Sequence, residues 1–279
     1  MYLIVCSIIL NIRGGDTMAN KQELKVMKLN TVEFNHQDLP FNVAEEIKLL
    51  RTNIQYSGAD TKVIFLTSAD QSDGKSTISF ELACSMAELG KKTLLLDTDM
   101  RRSAMHTRID GNKPQGLSYY LSGQAELETV LCRTNITNLY SITAGRVPPN
   151  PAELLSSKRM RTLIEWAREN YDYIIVDTPP INLVADAAVM ASMSDTAIVV
   201  IKANKTPRKS AQNVIKLIEK TECPILGVVL NQVSDSGSGY YKKYGYGGDY
   251  YGEAVDEKKF KSAKPVVPVD ELNSKSSDS

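Results

Sequence analysis

The chain has 279 residues, room for one large α/β domain with tails. Its 33 Lys+Arg balance 33 Asp+Glu, so no global field draws it to nucleic acid or to an acidic membrane, and a dedicated polyanion binder is disfavoured. The four cysteines form no close pair at metal-ligand spacing and fit a reducing cytoplasm; Cys84 reads as a small buried hydrophobe.

The apolar stretch 2–12 is about half of the roughly 20 residues a membrane span needs, and no basic residue precedes it as in a signal peptide. Arg13-Gly14-Gly15 can be encoded by a purine-rich run that positions a ribosome ahead of Met18, so 1–17 is read as untranslated and 1–40 as an N-terminal arm. Residues 43–56 carry Val43, Ile47, Leu50 and Ile54 at helical spacing, with Asn42 as cap. The apolar run 63–66 is a strand.

Behind that strand, Ala69 to Lys75 followed by Ser76 and Thr77 has the spacing of a phosphate-binding loop, and an amphipathic helix through Ile78, Leu82, Met86 and Leu89 follows. Backbone amides of such a loop, aided by the positive end of the helix, converge on polyphosphate oxygens. Lys75 then reaches the terminal phosphates and the Ser76 hydroxyl ligates magnesium. Gly90 stands where the helix stops. Strand 93–96 ends in Asp97, Thr98 and Asp99, and strand 173–176 ends in Asp177. In an open parallel sheet all three carboxylates emerge at the edge where the loop emerges, and can hold a hard cation through oxygen. Singly, each is equally a turn or cap residue.

The elements between are a short helix at 116–121, a strand at 139–143, a proline-rich turn at 147–151 and a helix over 152–170. After strand 173–176 come helix 185–193, strand 197–201, helix 208–220 and strand 225–230. Apolar strands without alternation, separated by helices, indicate a parallel sheet covered on both faces. From Ser234 the composition changes: Tyr240, Tyr241, Tyr244, Tyr246, Tyr250 and Tyr251 fall among glycines, without aliphatic neighbours to build a core. These rings are expected to be exposed, and 253–279 reads as a disordered tail.

Together, the loop, the two aspartate segments and the tyrosine cluster resemble the bacterial tyrosine kinases of the soluble type associated with capsular and extracellular polysaccharide export. The likeness runs over about 43–251 and is most specific at 94–101. It implies a P-loop NTPase fold over 41–233, an autophosphorylation segment at 234–252, and ATP and magnesium as cofactors. In that reading Lys75 and Thr77, with Ser72, Asp73 and Gly74, bind phosphates; Ser76 holds magnesium; Asp99 and Asp177 hold its water shell. Asp97 lies nearest the transferred phosphoryl group, as metal partner and candidate base, and Arg101 or Arg102 adds transition-state charge. Both arginines read equally as solvated surface residues. Asn231 contacts adenine, or simply starts a turn.

The resemblance also implies a membrane-embedded activator or chain-length regulator of polysaccharide export, a cognate tyrosine phosphatase, and recruitment from the cytoplasm to the inner membrane face. It implies a self-associated ring in which one tail enters a neighbour's site. Two departures stand out. Gln71-Ser72-Asp73 replaces the family's Pro-Gly-Glu, which puts a serine where glycine's freedom at positive φ is expected. The self-association motif reads Glu45, Lys48, Arg51, where lysine loses arginine's planar fork; the three also form the charged face of an ordinary helix. Two other functions share the fold: a positioning ATPase of the partition or division-site class, which usually carries a lysine where Asp70 and Gln71 stand, and a low-turnover scaffold.

Overall fold

The computed structural model describes residues 2–7, 29–111, 113–182 and 186–233. The tyrosine cluster and tail lie outside the described residues. In chain order, β1 (Tyr2–Ser7) and β2 (Asn30–Phe34) precede α1 (Phe41–Tyr56), β3 (Val63–Ser68), α2 (Lys75–Glu88) and β4 (Thr93–Asp97). Then come β5 (Ile109–Asp110), α3 (Leu117–Leu121), α4 (Leu127–Val130), β6 (Cys132–Thr134), β7 (Leu139–Ile142), α5 (Pro151–Leu155) and α6 (Lys158–Asn170). The last five are β8 (Tyr173–Asp177), α7 (Asp186–Ala191), β9 (Thr196–Lys202), α8 (Arg208–Glu219) and β10 (Ile225–Val233).

These strands form one sheet in the order β1-β10-β9-β3-β8-β4-β7-β6-β2-β5. From β10 to β7 every pairing is parallel, as the non-alternating apolar runs require, because both faces of such strands are covered. Successive side chains point to opposite faces. Phe65, Leu94, Leu96, Ile174 and Val176 therefore join one core with residues of α6, α7 and α8. Ile64, Leu66, Leu95 and Ile175 join the other, with α1 and α2. Parallel strands ending at one edge bring the turns after β3, β4 and β8 together, and this positions the site.

The stretch read as an arm contributes two strands. β1 pairs antiparallel with β10, and β2 runs parallel to β6 while carrying β5 antiparallel. Val32 and Phe34 of β2 are buried between exposed neighbours, a half-buried alternation too short to stand out. Helix α1 buries Val43, Ile47, Leu50 and Ile54 as expected. It begins after Pro40, however, with no side-chain cap, and Asn42 lies inside its first turn. The helix expected over 152–170 is two, because the Ser157 hydroxyl accepts from Met160 N at 3.3 Å and starts α6 afresh.

Candidate active site

Between β3 and α2 the chain makes a single 3-10 turn, Gln71–Asp73, and Gly74 then takes φ +88° before Lys75 opens the helix. The left-handed residue is thus Gly74. Ser72 sits in the 3-10 turn, outside the positive-φ residues, so the strain a serine would carry at positive φ does not arise. Asp73, 1 % exposed, holds the turn together: its Oδ2 accepts from Asp70 N at 2.9 Å and its Oδ1 from the Thr206 hydroxyl at 2.9 Å. Its carbonyl accepts from Asn231 Nδ2 at 2.8 Å. A Cβ on Gly74 would lie 2.0 Å from that same amide nitrogen. Asn231, expected at adenine, is buried and spends its amide on the loop. Ser72 is exposed, its hydroxyl 3.3 Å from Lys205 Nζ.

The aspartates converge as the strand order requires. Asp97 and Asp177 are register partners at the ends of β4 and β8. Asp177 Oδ1 accepts from Lys75 Nζ at 2.7 Å and from the Ser79 hydroxyl at 2.8 Å, while Lys75 also donates to Ser76 Oγ at 3.0 Å. Ser103 donates to Asp97 Oδ2, and Asp99 N to Asp97 Oδ1 at 3.1 Å. Asp99 Oδ1 accepts from Arg102 N at 2.9 Å. Burial above all, then the charge of Asp177, pushes the Asp97 carboxyl up to about 7. Burial likewise raises Asp99. Sequence reasoning missed Ser79 and Ser103, because neither belongs to a motif: Ser79 is 98 residues from Asp177, and Ser103 lies just beyond the 94–101 segment that holds Asp97.

Three carboxylates face one ammonium here, and Asp177 Oδ2 is buried without a hydrogen-bond partner. Such an orphan oxygen is costly in a low-dielectric site. An all-oxygen set with excess negative charge suits a hard divalent cation, so the residues fit the implied magnesium.

Not every expected residue faces this centre. Arg101, expected to add transition-state charge, makes a two-pronged pair with the buried Asp186 of α7, at 2.7 and 3.1 Å. Arg102 Nη1 donates to Gln71 Oε1 at 2.7 Å, beside the loop. On α1, Lys48 pairs with Glu45 at 2.7 Å, but Arg51 turns inward and donates to the Ser85 carbonyl and hydroxyl at 2.9 and 3.0 Å. The three do not present one outward motif. Among the described residues no helix is long and apolar enough to cross a membrane.

A family model described as an AAA domain matches residues 61–225, the segment that holds the loop and both aspartate turns. A tyrosine-protein kinase CpsD of Streptococcus agalactiae is 41% identical over 204 residues, 72% of this chain and 89% of its own. The chain belongs to the bacterial tyrosine kinases. A CpsD of Streptococcus pneumoniae is 41% identical to this kinase over 223 residues, covering 79% of the kinase and 98% of that relative. The solved kinase domain of the Escherichia coli tyrosine kinase ETK superposes on the kinase with TM-score 0.68 at 35% identity, covering 74% of this chain and 80% of that one. The septum site-determining protein MinD of Pyrococcus horikoshii OT3, solved with Mg-ADP, shares only the fold, at 24% identity and TM-score 0.51, over 60% of this chain and 69% of that one. Nucleotide binding goes with this membership, and the phosphate loop is the element built for it.

Proposed function

We propose that the kinase transfers the terminal phosphoryl group of ATP to its own C-terminal tyrosines, Tyr240, Tyr241, Tyr244, Tyr246, Tyr250 and Tyr251, in trans within an oligomer, and so regulates capsular or exopolysaccharide polymerisation and export. The observation that carries this reading is the meeting of Lys75, Asp97 and Asp177 behind the phosphate loop.

Phosphoryl transfer asks the protein mainly for alignment and charge neutralisation. The loop amides and Lys75 bind and orient the polyphosphate, and Lys75 exchanges its pairing with Asp177 for phosphate oxygens. Magnesium bound with ATP would neutralise charge on the transferred group, and Ser76, Asp97, Asp99 and Asp177 are the residues that would hold it. Asp97, at the end of β4 beside Asp177, is the candidate base toward an incoming tyrosine hydroxyl.

A membrane-embedded activator and a cognate tyrosine phosphatase complete the proposed system, with the kinase recruited to the inner membrane face through the activator. One solved relative, a chimerical protein CapA2B2 (33% identity, TM-score 0.66, 68% of this chain and 85% of that one), has a name that joins two components, in keeping with a kinase that works in contact with a partner. Clustered phosphotyrosines, each carrying up to about two negative charges, would repel one another and loosen a ring.

The positioning-ATPase alternative has less support, because Asp70 and Gln71 occupy the place of its extra lysine. Incubation with ATP and magnesium, followed by phosphotyrosine detection, separates the two. The intact chain is expected to give signal, while Lys75→Met and a deletion after Ser238 give none. Phosphate release without phosphotyrosine would move the assignment to a switch ATPase.

A further inference from the structure

We propose that Arg108 is a positioning residue of the nucleotide site, fixing the Thr77 hydroxyl so that it donates to a phosphate oxygen. This deepens the reading above and rests on it. Arg108 closes the 3-10 turn Met105–Arg108, beyond the Asp97–Asp99 segment and outside every nucleotide motif in the sequence. Its Nη2 donates to Thr77 Oγ1 at 3.1 Å. Its Nη1 lies 3.6 Å from Glu81 Oε1, and its guanidinium sits 4.8 Å from the centre of the Phe80 ring.

Thr77, Phe80 and Glu81 stand three and four residues apart, on one face of α2, so a single guanidinium reaches all three. Glu81 Oε2 is in turn 3.2 Å from His36 Nε2, and the His36 ring meets Phe80 edge-on at 5.6 Å. Arg108 is therefore held by a carboxylate and an aromatic face while one N–H remains aimed at the hydroxyl.

A threonine hydroxyl has one proton to give and two lone pairs with which to accept. Accepting from a cation turns that proton away from the cation, and the pull of the guanidinium strengthens the O–H as a donor. Thr77 belongs to the first turn of α2, where the helix already favours an anion. A hydroxyl set in this way loses no rotamer freedom when phosphate arrives. Lysine could supply the charge but not the rigid fork that engages Thr77 and Glu81 together.

The neighbouring trio His36, Glu81 and Cys84 brings its donor atoms within 4.8 Å of one another. It serves Arg108 better than a metal. Arg108 already faces the Glu81 carboxylate, and burial keeps the Cys84 thiol protonated.

The test is a double-mutant cycle on the full chain, reading affinity for a fluorescent ATP analogue together with kcat and KM for autophosphorylation. Arg108→Ala is expected to weaken ATP binding on the order of tenfold, with kcat at saturation held within about twofold. Thr77→Val should lose as much, and the double variant no more than Thr77→Val alone. Additive losses, or unchanged affinity in a folded Arg108→Ala, overturn the proposal. Should that variant not fold, Arg108→Lys retains a cation beside Glu81, and unchanged ATP affinity there overturns it equally. A wild-type chain that binds no ATP would sink the site reading itself, whereas wild-type binding with a flat Arg108 series sinks this proposal alone.

Discussion

The ammonium of Lys75 lies 2.7 Å from Asp177 Oδ1, with 4% and 0% of the two side chains exposed. Neither charge reaches water, so each is tolerable only because of the other. Lys75→Met should therefore do more than remove a phosphate contact: in the nucleotide-free protein it strands a buried carboxylate, at a cost of roughly 3–5 kcal/mol. Adding Asp177→Asn to that variant should restore most of the loss. Urea denaturation of the single and double variants checks this, and equal midpoints for the two would show that the pair is not energetically coupled.

Asp97 makes stability depend on pH in a direction opposite to that of an ordinary paired aspartate. Its folded value of about 7 lies above its unfolded value near 4. The native state thus holds a proton that the unfolded chain has released, and stability falls as pH rises between those two values. The favourable contribution is fully present below about pH 4 and is lost through pH 7, with a slope of up to about 1.4 kcal/mol per pH unit. Denaturation midpoints of the nucleotide-free, magnesium-free kinase at pH 5 to 8 should decline from this source. Asp97→Asn should flatten the decline, and an undiminished slope in that variant would assign it to another group.

Gly74 and Asn231 make a steric pair. Gly74→Ala places a methyl 2.0 Å from the Asn231 amide and also puts alanine at φ +88°. The two penalties are separable, because Asn231→Ala removes the first and leaves the second, of about 1–2 kcal/mol. Titration with an ATP analogue should show Gly74→Ala severely weakened and the double variant partly recovered. Full recovery would mean the backbone conformation is cheap; none would mean Asn231 is not the obstacle. Asn231→Ala alone should loosen the loop by freeing the Asp73 carbonyl.

What could be read from sequence and what could not follow the range of the interactions involved. The six parallel strands announce themselves because burial on both faces demands unbroken apolar runs, as in 63–66 and 173–176, and the aspartates behind them follow from strand-end topology. β2 relies on only two inward residues, Val32 and Phe34, and β5 on two residues in all, so neither leaves a pattern. The break before α6 did leave one: Ser157 carries the side chain of a helix cap, submerged in a longer helical periodicity. Within the site, the loop is local and legible. The partners that tune it are not, since Asn231 is 158 residues from Asp73, and Asp186 is 85 from Arg101.

That last separation bears on catalysis. An arginine two residues past Asp99 reads as a transition-state cation, but its two-pronged pair with Asp186, whose side chain is 1% exposed, gives it a structural task. Arg101 itself is 45% exposed, so water screens part of the attraction; the larger consequence of losing it is the carboxylate left behind. Arg101→Ala should destabilise the fold by about 1–3 kcal/mol, and Asp186→Asn placed on top should return most of that stability. The decisive measurement is autophosphorylation kcat in the folded double variant. A structural arginine predicts a kcat close to wild type, because nothing at the Lys75, Asp97 and Asp177 cluster has changed. A fall on the order of a hundredfold or more, such as loss of a transition-state donor produces, would show that Arg101 leaves Asp186 during the reaction and acts on the phosphoryl group directly.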